Sequence, residues 1–283
     1  MRLAAAILGC GVFAACGAEQ PATAPGIQAA EDSFKQWRLP RRLREISGLA
    51  LTRDGRLFAV TDERAIVYEL DYAEGNVVKS FALGDPVARG DFEGIAVLGD
   101  TVWLMTSDGA LFAAEEGRDG QRVAYRRYDT REGEYCELEG LAQDPGAGTL
   151  LMACKETRSG KDKLRLSEWS VTPAGVEHRR DIFIPEDAVS QAIDEKRVNP
   201  SGVALDPHTG EWVLVAARQR ALFRLSADGG ISHAIILPKK SRHRQAEGIE
   251  LTLDGRLLIA DEGDGGRARL AVYADDPGRD NDE

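Results

Sequence analysis

The sequence predicts an all-β fold, namely a five-bladed β-propeller built from four-stranded antiparallel blades. A phrase centred on glycine recurs five times, and its copies lie 46, 46, 62 and 46 residues apart. Periods of about 40–50 residues are typical of propeller blades or of helical arrays. No segment shows the 3.6-residue apolar periodicity that a helical array requires, so the propeller is favoured. The five glycines are Gly48, Gly94, Gly140, Gly202 and Gly248.

Each period contains short runs rich in Val, Leu, Ile, Phe or Tyr that are bounded by Gly, Asp or Pro, a pattern typical of strands. The first copy predicts four strands, at residues 47–51, 57–61, 65–70 and 76–83. After their glycine-phrase strands, the next three copies predict strands at 102–106, 110–114 and 122–128, at 149–154, 163–171 and 176–184, and at 212–216, 221–225 and 231–237. The fifth copy supplies only three, at 248–252, 257–260 and 269–273.

The missing strand of the fifth blade has a donor before the first copy. Residues 33–39 alternate apolar and polar side chains, as a half-buried outer strand does. Pairing this segment with the last blade closes the ring and removes an open sheet edge. A six-bladed ring is the alternative, because the third interval is longer than the others. We expect that extra length to form a loop over residues 185–198 with a short helix at 187–196.

The N-terminal residues are predicted to direct export rather than to join the fold. Residues 1–15 form an apolar segment with a positive charge near its start, which is typical of a signal peptide. Cys16 follows small residues, as in a bacterial lipobox. We therefore expect lipidation at Cys16, with plain secretion as the alternative. The predicted order is a tether at 16–31, a propeller at 32–275 and a disordered tail at 276–283. The expected location is the outer membrane facing the periplasm, or the periplasm if the chain is simply secreted.

Charge limits the classes of partner. The formal net charge of −11 argues against nucleic-acid binding, which requires a basic face. It suits cations or cationic partners better. We expect a monomer whose only membrane contact is the lipid anchor. A small anionic ligand or an envelope protein is the expected partner.

Two of the four cysteines fall on neighbouring strands of the third blade. A hairpin turn over residues 144–148 brings Cys136 and Cys154 close together, and an exported chain permits disulfides. A Cys136–Cys154 bridge is therefore expected, with two buried free thiols as the alternative.

Acidic residues are predicted to gather at one mouth of the central channel. The first strand of every blade starts at this mouth and the second strand ends there. Crowded carboxylates repel one another unless cations neutralise them, and oxygen ligands without His or Cys suit Ca²⁺. The alternative is that each carboxylate only accepts hydrogen bonds from neighbouring blades. The predicted calcium ligands are Glu45, Glu63, Glu93, Asp108, Glu139, Glu156, Glu247, Asp261 and Glu262.

A basic loop precedes the first strand of the fifth blade and reaches the same face. Beside an acidic mouth it is placed to receive an anionic ligand, such as a phosphate ester bridged by the metal. The alternative is a solvated loop that balances an acidic surface. The predicted anion-binding residues are Lys240, Arg242, His243, Arg244 and, from the fourth blade, Arg218.

The sequence lacks the motifs of several classes of enzyme. The chain has no Gly-x-Ser-x-Gly nucleophile elbow, and its four histidines are scattered without zinc spacing. The glutamates of the mouth and His243 are the available acid–base groups.

The five copies of the phrase resemble the SdiA-regulated family of exported bacterial propellers, which is grouped with phytase-like and calcium-regulated propeller proteins. The resemblance spans residues 40–274 and includes two Asp-Glu pairs, in 61–63 and 260–262. It implies a calcium-associated propeller, with phosphoesterase-like chemistry as a further implication. The segments that carry it are 46–50, 91–96, 138–142, 199–204 and 245–249.

Two functions are therefore in competition. The first is a lipid-anchored calcium-binding propeller that acts as an envelope binding or calcium-response protein. The second is a calcium-dependent hydrolase of a phosphoester or lactone, with Glu93 or Glu139 as the base. The sequence leaves open whether the chain is an enzyme.

Overall fold

The computed structural model describes residues 34–158, 164–195, 197–238, 242–274 and 276. Within them, five antiparallel blades form a ring, which confirms the five-bladed propeller. The signal segment, Cys16, the tether and Lys240 lie outside the described residues. No helix among the described residues has the length and apolarity needed to cross a membrane.

The first two blades follow the order in which their strands occur along the chain. In each, the strand that contains the glycine phrase is innermost. The first blade contains β2 (Ile46–Leu51), β3 (Leu57–Thr61), β4 (Arg64–Asp71) and β5 (Asn76–Leu83), and the second contains β6 (Phe92–Leu98), β7 (Thr101–Thr106), β8 (Ala110–Glu115) and β10 (Arg126–Asp129).

The remaining blades repeat this arrangement, and the last is completed by β1 (Phe34–Arg38). The third blade contains β11 (Cys136–Asp144), β12 (Thr149–Thr157), β13 (Leu164–Thr172) and β14 (Gly175–Ile184). The fourth contains β15 (Gly202–Leu205), β16 (Trp212–Ala216), β17 (Ala221–Leu225) and β18 (Ile231–Ile236), and the fifth contains β19 (Ala246–Leu251), β20 (Leu257–Asp261) and β21 (Arg269–Tyr273).

Ring closure follows the expected pairing of the two ends of the domain. Strand β1 is antiparallel to β21, with Phe34 opposite Tyr273 and Arg38 opposite Arg269. A single 3₁₀ turn at Arg41–Leu43 then leads to the first blade. The N-terminal strand thus covers the edge that the last blade would otherwise expose.

One predicted strand is divided between two blades. The sequence suggests a continuous outer strand at 122–128, whereas β9 (Arg122–Val123) pairs in parallel with β5 of the first blade. Only Arg126–Asp129 remains in the second blade. The connecting turn is attached to β5 because Asp119 accepts a hydrogen bond from the Ser80 amide at 2.9 Å.

The long third interval contains no sixth blade among its described residues. It forms a helix, α1 (Glu186–Ile193), close to the predicted position. Val189 is buried in the apolar cluster between the third and fourth blades, and Ile193 and Val198 pack against that cluster. The insertion therefore covers an existing inter-blade core.

The core consists of five apolar clusters, one between each pair of adjacent blades. Successive side chains of a strand point to opposite faces, so each blade supplies two clusters. In β3, for example, Phe58 and Val60 face the second blade and Ala59 faces the fifth. The cluster between the fifth and first blades shows that the ring is closed by packing as well as by strand pairing.

The five glycines of the repeat pack the inner strands against one another. A Cβ atom placed on each would approach the next blade's inner strand to 2.1–3.1 Å, so a side chain does not fit without displacement. The neighbours of Gly48, Gly94, Gly140, Gly202 and Gly248 are, in order, Ile95, Leu141, Gly202, Glu247 and Leu49. This sequence of contacts passes once round the ring.

Two further features concern the blade edges. Cys136 and Cys154 are joined by a disulfide between β11 and β12, the pairing expected from the sequence. Asp276, the first residue of the predicted tail, is 5% exposed. Its carboxylate pairs with the buried Arg224 guanidinium of the fourth blade, which also binds Asp206 at 2.7 Å.

Gly94→Ala is expected to destabilise the fold by about 2–3 kcal/mol, because its Cβ would lie 2.7 Å from the Leu141 amide nitrogen. Gly146→Ala is the matched control, since its Cβ would meet only the side chain of Asp144 at 3.3 Å. Urea unfolding of both variants measures the difference. Equal stability of the two variants would contradict the tight packing of the inner strands.

Candidate functional site

The candidate site lies where the inner strands begin at one end of the ring. In the first, second, third and fifth blades, the pairing of the inner strand shifts register at the glycine phrase. The residue before the glycine is the extra residue of this bulge, and bulges redirect side chains. That residue is Glu93, Glu139 or Glu247 in three blades, and serine in the other two.

The serines of the first and fourth blades have a structural task. Ser47 Oγ donates to the Phe92 carbonyl of the second blade at 2.7 Å. Ser201 Oγ donates to the Ala246 carbonyl of the fifth blade at 2.6 Å. Each bond fixes the backbone just before a glutamate. The serines thus position Glu93 and Glu247 rather than leaving gaps in an acidic ring.

Glu93, Glu139 and Glu247 form an inner trio of partly buried carboxyl groups. Burial and, next, the charge of Glu139 raise the pKa of Glu93 to about 9. Burial raises the pKa of Glu247 to about 8, against the effect of a hydrogen bond from Gln245. The pKa of Glu139 is also raised by burial. Without a bound cation, the three groups therefore oppose one another's ionisation.

Lys155 is the cation that enters this trio, and the sequence analysis missed it. Its Nζ donates to Glu139 and, at 3.2 Å, to Glu137. These bonds outweigh burial and raise the pKa of Lys155. The Lys155 carbonyl accepts a hydrogen bond from Asn199 at 3.1 Å, which ties the end of β12 to the fourth blade. The strand position next to Glu156 was the available sequence signal.

A second acidic group lies beside the trio and contains Glu45, Asp62 and Glu262. Burial and then the charge of Glu45 raise the pKa of Asp62. Burial and then the charge of Asp62 raise the pKa of Glu262. Gln245 Nε2 connects the two groups, since it donates to Glu247 at 2.7 Å and also to Glu262. Arg44 pairs with Glu45 at the outer side.

Three predicted ligands are not drawn into the site. Glu63, Asp108 and Glu156 are exposed. A hydrogen bond from Thr106 lowers the pKa of Asp108, so this carboxylate is stabilised by its own turn. These three residues occupy equivalent positions in their blades, but their exposure separates them from the partly buried trio.

Asp261 and His243 occupy a buried polar chain instead of the predicted metal and anion sites. His243 Nδ1 lies 2.8 Å from Asp261 Oδ2, and His243 Nε2 lies 2.6 Å from the Tyr273 hydroxyl. His243 and Asp261 are each 1% exposed. The prediction of surface anion binding by His243 does not fit this burial. The loop turns inward at this residue to satisfy the Asp261 carboxylate.

The other predicted anion-binding residues are dispersed. The Arg242 guanidinium lies 4.7 Å from the centre of the Phe34 ring, a cation–π contact. Arg218 is exposed in a turn of the fourth blade. Arg244 lines a cavity together with Arg38, Arg267 and Arg269, three arginines that the sequence analysis did not select.

The opposite end of the inner strands contains a different carboxyl group. Glu250 accepts hydrogen bonds from the Leu51 amide at 3.0 Å and the Leu251 amide at 3.2 Å. Burial raises its pKa to about 7. Gln143 of the third blade also donates to it, at 3.5 Å. Glu250 therefore joins three blades and is not part of the candidate site.

One further group has metal-ligand chemistry. Oxygen or nitrogen atoms of Glu132, His178 and Asp181 lie within 4.8 Å of one another on the third blade. Arg165 already bridges this group, donating to Glu132 at 2.6 Å and to Asp181 at 2.7 Å. A metal ion there would have to displace a guanidinium. The ligand atoms of the inner trio carry no such guanidinium bridge across all three groups, but they do not all lie within 4.8 Å of one another, so an ion would have to draw the three carboxylates together.

The matches to known proteins agree with the fold. The model of the SdiA-regulated family matches residues 38–263. The chain belongs to the SdiA-regulated family. A comparison with curated proteins gave no match.

This SdiA-regulated protein is similar in fold to several solved structures, and three of these are enzymes. Glutaminyl cyclase from Myxococcus xanthus is 15% identical, with a TM-score of 0.57 over 86% of this chain and 96% of its own. A luciferin-regenerating enzyme is 8% identical, with a TM-score of 0.51 over 83% and 91%. The PQQ-bound aldose sugar dehydrogenase from Streptomyces coelicolor is 13% identical, with a TM-score of 0.50 over 85% and 98%. These identities support a shared propeller fold alone.

Glu93→Gln is expected to stabilise the metal-free protein increasingly as pH rises. The folded protein holds the proton of Glu93 more tightly than the unfolded chain does, because the folded pKa is raised to about 9. The resulting stabilisation is complete below the unfolded pKa and is lost as the pH rises through 9. Thermal melts in a chelator should show little difference at pH 5. At pH 8.5 we expect the variant to melt about 2–6 °C higher. Parallel pH profiles for the two proteins would contradict the assigned environment of Glu93.

Proposed function

We propose that this SdiA-regulated propeller binds Ca²⁺ through the inner trio and acts as an exported, lipid-anchored binding protein of the cell envelope. The observation that carries the proposal is that Glu93, Glu139 and Glu247 come from three blades to one end of the ring, where the charges of Glu139 and Glu247 contribute to the raised pKa of Glu93. Burial and mutual repulsion oppose ionisation of these carboxyls in the metal-free protein, and a divalent cation would favour their ionised forms.

The chemistry of the donors suits calcium. Glu93, Glu139 and Glu247 would hold the ion through carboxylate oxygens, which are the hard ligands that Ca²⁺ prefers. No His or Cys is among them. A bound ion would neutralise the trio and offer a Lewis-acidic position to a ligand. Lys155, which pairs with Glu139, balances part of the charge in the metal-free protein.

Export and anchoring rest on residues outside the described ring. The apolar segment 1–15 and the cysteine at position 16 support secretion followed by lipidation. The Cys136–Cys154 disulfide is compatible with an oxidising compartment. On this basis we place the propeller at the outer membrane, facing the periplasm, at the end of a short tether.

A second candidate is calcium-dependent hydrolysis of a phosphoester or lactone. Glu93 or Glu139 would be the general base of this reaction, and a bound calcium ion would polarise the substrate. Turnover of a chromogenic phosphoester or a lactone only with added calcium, and its loss in Glu93→Gln, would favour this candidate.

Calorimetric titration of the mature protein tests calcium binding. We expect a dissociation constant of about 0.01–1 mM at pH 7.5, the range of extracellular calcium modules and weak sensors. Affinity should increase from pH 6 to pH 9, because the raised pKa values of Glu93 and Glu247 make protons compete with the ion. Titrations in buffers of different ionisation enthalpy should therefore reveal proton release.

The matched variants are Glu247→Gln and Glu156→Gln. The first removes one member of the trio and should weaken calcium binding at least about tenfold. The second removes an exposed carboxylate of the same face that lies outside the trio, and should leave binding unchanged. Absence of heat with the wild-type protein, or equal weakening in both variants, would overturn the proposal.

A further inference from the structure

Lys155 is a cation that the protein itself supplies to the inner trio. It lies near the end of β12, and its Nζ donates to Glu139 and, at 3.2 Å, to Glu137. In the part of the chain that the structure describes, no other basic side chain forms an ion pair with a member of the trio. One ammonium group therefore holds two carboxylates of β11, of which only Glu139 belongs to the trio.

The charge of Lys155 acts on all three members of the trio. Burial raises the pKa of Glu93 and of Glu247, and the charge of Lys155 opposes this increase at both residues. At Glu139 the direct hydrogen bond from Lys155 has the same effect. The lysine thus favours the ionised forms of the trio, as a bound metal ion would. Lys155 and a metal ion are therefore alternative partners for the same carboxylates.

Lys155 keeps its own proton although it is half-buried. Burial lowers the pKa of Lys155, but the hydrogen bonds and charges of Glu139 and Glu137 raise it by more. An unperturbed lysine is already protonated at neutral pH, and the net shift at Lys155 strengthens this preference. The ammonium is consequently a permanent competitor for any other cation that approaches Glu139.

The backbone at Lys155 is fixed, whereas its side chain has a choice of partners. Asn199 donates to the Lys155 carbonyl at 3.1 Å, and the Cys136–Cys154 disulfide joins the two strands at the preceding residue. The side chains of Lys155 and Glu137 are 34% and 49% exposed. A lysine side chain is flexible, so its ammonium can turn towards Glu137 without a change in the strand.

A metal ion shared by the trio needs the carboxylate that Lys155 holds. The ligand atoms of Glu93, Glu139 and Glu247 do not all lie within 4.8 Å of one another. An ion that gathers them would have to draw Glu139 towards the other two carboxylates. Two cations close to one carboxylate repel each other, so the ammonium is then more stable at another acceptor. Glu137, which already accepts from Lys155, is that acceptor.

We propose that Lys155 is a built-in competitor of calcium, whose binding requires the ammonium to pass from Glu139 to Glu137. The inference rests on the calcium binding proposed above and adds what sets its affinity and selectivity. A monovalent ion would replace one single charge by another and would lose translational freedom that the tethered ammonium has already lost. A divalent ion brings a second charge. The lysine should therefore favour divalent over monovalent cations and raise the calcium concentration at which the site fills.

Calorimetric titration of Lys155→Met with calcium at pH 9 tests the proposal. At this pH, proton competition at Glu93 and Glu247 is smaller than at neutral pH. Methionine keeps the apolar length of the side chain and removes its charge, so we expect a dissociation constant at least about fivefold below that of the wild-type protein. Lys155→Arg retains the charge and should bind calcium no more tightly than the wild-type protein does.

Lys79→Met is the matched control. Lys79 lies on β5, the outer strand of the first blade, and also pairs with two carboxylates, Glu116 and, at 3.4 Å, Glu69. Its replacement removes the same charge from the protein but not from the trio. The calcium affinity of this variant should stay within about twofold of the wild-type value. Thermal melts in a chelator should show that all the variants are folded.

Glu137→Gln supplies a second measurement that does not depend on the folding of Lys155→Met. Without Glu137 the ammonium remains on Glu139, so calcium binding should weaken at least about threefold. In the Lys155→Met background the same change should have no effect, because Glu137 acts through the lysine. Glu156→Gln is the control, since Glu156 lies opposite Glu137 in the pairing of β11 with β12 and its loss removes an equal charge.

The outcomes separate this proposal from the calcium site itself. If the wild-type protein binds calcium and Lys155→Met binds it no more tightly, competition by the lysine is disproved while the calcium site stands. Binding by Lys155→Met without detectable binding by the wild-type protein would support the competition. Absence of heat with both proteins would overturn both proposals. An equal effect of Glu137→Gln in the two backgrounds would contradict the transfer of the ammonium to Glu137.

Discussion

The close approach of five inner strands round one axis is the constraint on which the rest of this structure depends. At one position of each strand the next blade leaves no space for a Cβ atom, and that position is glycine in all five blades. The residue before it is therefore brought towards the centre, with a bulge that redirects its side chain in four of the blades. Packing and function are thus linked, because the contact that closes the ring also gathers the glutamates.

The repeat made most of the fold predictable. The period of the repeat and the positions of its glycines predicted the number of blades. The alternating apolar and polar residues before the first copy predicted the closing strand. Both signals could be read because they are local and periodic. The radial position of a side chain is a property of the assembled ring. Glu63, Asp108 and Glu156 share the register of their blades yet stay outside the trio, and Lys155 enters it from a position that no motif marks. The inward turn at His243 depends on Asp261, eighteen residues away in sequence.

Charge is separated on the functional face in a way that the net value of −11 conceals. Carboxyl groups occupy the centre, where burial and proximity raise their pKa values, and arginines occupy the flank where the two chain ends meet. The propeller fold is shared with a cyclase and a dehydrogenase, but only the residues of this face bear on what this family member binds.

A crystal structure of the mature protein grown in calcium, with anomalous scattering recorded, tests the central claim most directly. An ion should lie about 2.3–2.6 Å from carboxylate oxygens of Glu93, Glu139 and Glu247. Its arrival should release Glu139 from Lys155 or share that carboxylate between them. The calcium concentration should be one that saturates extracellular calcium modules. If the side chains of the trio are then well ordered and no anomalous peak lies among them, the claim that the ring assembles a cation site is contradicted.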